Sequence, residues 1–69
     1  MSTISRETAA KEATRYFEMS KFYIDLSRTL TEEQKSEKST GGKTIGQYIK
    51  ENYHRCMDYF HYYNHIVNS

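Results

Sequence analysis

A chain of 69 residues and 8.2 kDa has room for one small domain, residues 1–69, which excludes a separate catalytic module. Ten Lys and Arg residues against nine Asp and Glu residues give a net charge of +1, so charge alone favours neither nucleic acid nor an anionic membrane as the partner. The only cysteine, Cys56, excludes an internal disulfide, and no zinc-type set of Cys and His residues is present. We therefore expect a cytoplasmic protein without a membrane segment, stabilised by self-association or by a partner.

The first predicted element is helix 1, over about residues 6–30. Ser5 is a suitable N-cap, Glu7 lies in the first turn, and neither Gly nor Pro interrupts the chain before Leu30. The centre of its apolar arc consists of small residues: Ala9, Ala13, Ser20 and Ser27. Small side chains allow a second helix to approach closely. We expect the hydroxyl groups of the buried serines to donate to the backbone carbonyl four residues earlier.

Helix 1 carries a second apolar stripe, formed by Met19, Phe22 and Leu26, on the side away from these small residues. A single hairpin cannot bury both stripes, and an apolar stripe flanked by charged residues is typical of an interface. The alternative is that the connection after helix 1 covers this stripe, or that the stripe is simply exposed.

Charged residues in both helices have the spacing of ion pairs along one helix. The expected pairs are Glu7–Lys11, Glu12–Arg15, Glu18–Lys21 and Asp25–Arg28 in helix 1, and Glu51–Arg55 in helix 2. Such pairs are worth a few tenths of a kcal/mol each and predict solvated helix faces.

Residues 31–43 form the predicted connection. Thr31 followed by Gln34 has the spacing of a capping box, which predicts a short helical turn before Gly41 and Gly42 end it. The segment Gly41-Gly42-Lys43-Thr44 resembles the end of a phosphate-binding loop, but Glu37 occupies the position of the first required glycine. We therefore interpret this segment as a turn and a helix cap.

Helix 2 is predicted over about residues 45–67, with Thr44 and Gln47 as its capping box. Its apolar residues are spaced alternately four and three apart, and they are Ile49, Tyr53, Cys56, Phe60, Tyr63 and Val67. This period is that of a helix packed along another helix, which places Cys56 in the core as an unreactive side chain. The fold class is thus all-α, an antiparallel two-helix hairpin that completes a helical bundle by dimerisation or by binding a partner.

The opposite face of helix 2 carries the only candidate metal ligands, which are His54, Asp58, His61 and His65. One helix face presents two ligands at a time to an ion such as zinc, so a complete site would need a second chain. Glu51 and His54 have the spacing used in di-iron bundles, but both point away from the core and the motif occurs once. We expect no metal, no cofactor and no catalysis, because no catalytic set of side chains shares a face.

Two function classes fit these features. The first is a protein-binding module, such as an adaptor, an inhibitor or a chaperone, whose partner is another protein, itself helical, or a second copy of the chain. Its predicted contacts are Met19, Phe22, Leu26 and Tyr62. The second is a dimeric helical hairpin that binds nucleic acid, which would need clustered Lys and Arg where helix 1 has alternating charges.

Overall fold

The computed structural model describes residues 4–39 and 41–69, which form three helices in chain order. Helix α1 spans Arg6–Thr29, α2 spans Glu32–Ser36 and α3 spans Ile45–Asn68. Helices α1 and α3 pack against each other along their length, and α2 packs on α3, in a flat molecule of 44 × 23 × 13 Å. The predicted all-α hairpin, with a helical turn in its connection, is confirmed.

Side-chain caps define the starts of the helices. The Ser5 hydroxyl accepts a hydrogen bond from the Thr8 amide at 3.1 Å. At the start of α3, the backbone amide of Gln47 donates to the Thr44 hydroxyl at 3.1 Å. The backbone amide of Thr44 donates in return to the side-chain oxygen of Gln47 at 3.0 Å. Thr31 makes the same reciprocal capping box with Gln34 at the start of α2. Each cap satisfies amides that have no partner within the helix.

We expect Thr44→Ala to lower the free energy of unfolding by about 1 kcal/mol, because the N-cap hydroxyl of α3 is lost. The matched control is Thr14→Ala, at an exposed position within α1, which should be neutral or slightly stabilising because alanine is the better helix former. Urea unfolding followed by circular dichroism measures both values. Equal effects of the two substitutions would contradict the capping role of Thr44.

The connection turns back at Gly41 and Gly42, whose φ angles are +89° and +81°. This backbone conformation is strained for residues with a Cβ atom, which explains two glycines at this place. The turn lays the start of α3 directly on α2, where a Cβ atom added to Gly46 would be 3.3 Å from Lys35. The connection thus packs on α3.

The small residues of α1 lie in the contact between the two long helices. Ala9, Ala13 and Ser20 are the buried residues of α1, and Ile49 and Cys56 are the buried residues of α3. The Ser20 hydroxyl donates to the carbonyl of Phe17 at 2.6 Å, three residues earlier rather than the expected four. Both carbonyls lie within reach of a helical serine, so the hydroxyl is satisfied without a partner from α3.

The apolar stripe of α3 is less buried than its period predicts. Only Ile49 and Cys56 are buried, whereas Tyr53, Phe60 and Val67 are half-buried. A two-helix hairpin has a single line of contact, so only residues pointing along that line lose all exposure to water. The flanks of both helices remain available to another chain.

Two of the expected ion pairs of α1 are present, with Glu7 and Lys11 3.7 Å apart and Glu12 and Arg15 3.8 Å apart. The expected Glu51–Arg55 pair is wrong, because Glu51 instead binds Lys43 of the connection at 2.6 Å. Lys43, which precedes α3, thus takes the place of Arg55 as the cation that pairs with Glu51.

The expected pairs Glu18–Lys21 and Asp25–Arg28 are also absent among residues 4–39 and 41–69. The Lys21 ammonium lies over the Phe17 ring, 4.9 Å from its centroid, which is the favourable geometry for a cation on an aromatic face. Arg28 instead lines an open groove between α1 and α3.

Candidate protein-binding face

One broad side of the hairpin is lined with aromatic rings from both long helices, and we call it the aromatic face. The Tyr16 ring stacks on Tyr59 and on Tyr63, with centroids 4.9 and 5.9 Å apart. Tyr62 meets Tyr63 edge to face at 5.0 Å. Phe22 meets Tyr23 edge to face at 5.4 Å. The remaining members are Met19, Leu26 and Tyr48.

Much of this face is accessible to water. The exposed fraction is 61% for Phe22, 57% for Tyr62 and 37% for Met19, and Leu26 is half-buried. The connection therefore does not cover the second apolar stripe of α1. Large apolar side chains grouped in this way are uncommon on a chain that has no partner.

The tyrosine stack is the feature that sequence reasoning missed. Tyr16 and Tyr23 are seven residues apart on one flank of α1, while Tyr59 and Tyr63 are four residues apart on the facing flank of α3. Both spacings were visible in the sequence, but the contact also depends on which flank of α3 meets which flank of α1.

Charged side chains border the aromatic face at two places. Partial burial raises the pKa of Tyr63, and the nearby Tyr16 and the carboxylate of Glu12 raise it further. Burial also raises the pKa of Tyr23, and the guanidinium of Arg55 partly opposes that effect. The border thus has an acidic group near Tyr63 and a basic group near Tyr23.

Cys56 is buried against α1, and burial raises the pKa of its thiol, with Arg55 partly opposing the shift. Because the thiolate is the reactive form, we expect native Cys56 to react far more slowly at pH 8 with a chromogenic disulfide than the urea-unfolded chain does. The folded state favours the neutral thiol, so its contribution to stability is present below about pH 8.5 and is lost as the pH rises further. Equal rates for native and unfolded protein would contradict burial of the thiol.

The four candidate metal ligands His54, Asp58, His61 and His65 are exposed on the side of α3 away from α1. Within residues 4–39 and 41–69, no three His, Cys, Asp or Glu side chains come close enough together to hold a metal ion. Two of the imidazoles contact aromatic neighbours, His54 at 5.6 Å from Tyr53 and His61 at 5.4 Å from Phe60.

In the described part of the chain, no helix has the length and apolar character that crossing a bilayer requires. Comparison of the chain with family models, with curated proteins and with solved structures gives no match in any of the three. The class of protein that the fold and its surface define is a small helical hairpin with an exposed aromatic face, consistent with a binding module.

Proposed function

We propose that the chain is a non-catalytic protein-binding module that uses its aromatic face, with Met19, Phe22, Leu26 and Tyr62 among the contacts. The partner is a helical protein, and the simplest is a second copy of the chain, which gives a four-helix bundle. The observation that carries this proposal is the exposure of Phe22 and Tyr62 beside the tyrosine stack. A lone, buried cysteine fits a reducing compartment, and we place the protein in the cytoplasm.

The total accessible surface supports a missing partner. The hairpin exposes 5445 Å², whereas a folded monomer of 8.2 kDa exposes about 4,500 Å². The excess of about 900 Å² is close to the roughly 800 Å² that each partner buries in an interface of standard size. One additional interface would bring this chain to the surface area that its mass predicts.

The charges at the border favour a second copy as the partner. Glu12 lies near one end of the aromatic face, where it also pairs with Arg15, and Arg55 lies towards the other end. A two-fold axis through the middle of this face brings the Glu12 end of one copy to the Arg55 end of the other. Such a surface is complementary to itself, as symmetric dimers require.

The substitution Phe22→Glu tests this proposal. We expect the variant to keep its helical circular dichroism signal at low temperature, because Phe22 is exposed in the hairpin. Association should be lost, because a carboxylate in an apolar interface is desolvated without a matching group. Sedimentation velocity measures the association, and the control Phe22→Leu should retain it.

Two outcomes would contradict the proposal. If Phe22→Glu unfolds the chain, the stripe of Met19, Phe22 and Leu26 belongs to a core. If material recovered with the tagged chain from its host is nuclease-sensitive and is lost at high salt, the alternative of a nucleic-acid-binding hairpin is correct.

A further inference from the structure

The side of the hairpin opposite the aromatic face holds two open apolar grooves between α1 and α3. One groove, of 390 Å³, lies near the connection and is lined by Ile24, Ser27, Arg28, Ile49, Lys50 and Tyr53. Gly46 also lines it, as does Tyr23, which is shared with the aromatic face. The other groove, of 340 Å³, lies near the far end and is walled by Ala13, Phe17, Phe60 and Val67. We call this side the groove face.

Three cations border the groove face. Arg28 and Lys50 stand on opposite helices at the first groove, and Lys21 lies over the Phe17 ring between the two grooves. None of these three makes an ion pair with residues 4–39 or 41–69. One carboxylate, that of Asp25, lines a shallow recess with Lys21 and Arg28, so three cations stand against one carboxylate at this border.

The two grooves lie in line along the hairpin. Their linings on α1 are centred about 12 residues apart, which corresponds to about 18 Å at 1.5 Å per residue. A partner helix of three to four turns would reach both grooves with side chains from one of its faces. A compact small molecule would fill only one of them.

We propose that the groove face binds an acidic amphipathic helix of another protein, which places apolar side chains in the two grooves and carboxylates near Lys21, Arg28 and Lys50. The three cations at the border favour a partner helix that carries carboxylates, because opposite charges attract across an interface. The proposal does not depend on the aromatic face, and the two sites together would allow the hairpin to bridge two partners.

Fluorescence anisotropy with designed peptides tests this proposal on the full chain. The first probe is a labelled helix of about 16 residues with Leu along one face and Glu on both flanks. The second probe has Lys in place of every Glu. We expect the acidic probe to bind at low salt and to weaken as salt is added, and we expect the basic probe not to bind.

Charge reversal identifies the groove face as the site. The double variant Arg28→Glu with Lys50→Glu should bind the acidic probe at least about tenfold more weakly and should gain affinity for the basic probe. The control, Lys11→Glu with Arg15→Glu, changes the net charge of the chain by the same amount at exposed positions away from the grooves, and it should leave the affinity unchanged. All four positions are exposed, so both variants should fold.

Three results would overturn this proposal. They are equal binding of the two probes, equal weakening by the control variant, and tight binding of a labelled duplex DNA in place of the acidic helix. Binding of the acidic probe by Phe22→Glu would separate this site from the aromatic face. The proposed function and this inference therefore fail independently.

Discussion

Ala13→Asp is expected to abolish folding, with loss of the helical circular dichroism signal. Ala13 is only 5% exposed and lies in the line of contact between α1 and α3, next to Phe60 and Val67. The residues that line the groove at Ala13 include no cation, so a carboxylate there loses water without gaining a partner, which costs several kcal/mol. A domain of this size has only about 3–5 kcal/mol of stability from its core, so the cost exceeds the stability available.

Ala10→Asp is the control for this prediction. Ala10 is exposed on the same helix three residues earlier, so the same substitution leaves the new carboxylate in water. We expect this variant to fold, with a change in the free energy of unfolding below about 0.5 kcal/mol. A folded Ala13→Asp variant would show that α1 does not face α3 through its small residues.

Phe60→Ala is expected to lower the free energy of unfolding by about 3 kcal/mol. The Phe60 ring packs on Phe17 with a centroid distance of 5.5 Å and forms a wall of the second groove. Full burial of a phenylalanine would place the loss at about 3–5 kcal/mol, and the half-buried position of Phe60 places it at the lower end.

The neighbouring substitution His61→Ala serves as the control, because His61 is exposed on the opposite side of α3. It should change the free energy of unfolding by less than about 0.5 kcal/mol. Urea unfolding at equal protein concentration compares the two variants. Equal effects would show that the inner face of α3 has been assigned wrongly.

The sequence predicted those features of the fold that depend on local interactions. Each capping box needs only a hydroxyl and an amide three residues apart, so the starts of α2 and α3 follow from Thr31 and Thr44 with their partners. Gly41 and Gly42 mark the turn for an equally local reason. The direction of the apolar stripe of α3 also follows from its period.

The degree of burial and the side-chain partners could not be predicted in this way. The period shows that Phe60 points towards α1, but it does not show that a single contact line leaves the ring half-exposed. Glu51 was expected to pair within its helix, and it binds Lys43 because the turn brings this cation back over α3. The stack of Tyr16 on Tyr59 depends in the same way on how the two helices face each other.

Sedimentation equilibrium of the unmodified chain, combined with thermal unfolding at several concentrations, tests most directly whether a second chain covers the aromatic face. We expect twice the chain mass of 8.2 kDa at micromolar concentration and a midpoint that rises with concentration, because dimerisation stabilises the folded state by mass action. A mass of 8.2 kDa with a transition that is independent of concentration would show that the unmodified chain does not associate, and would contradict this account.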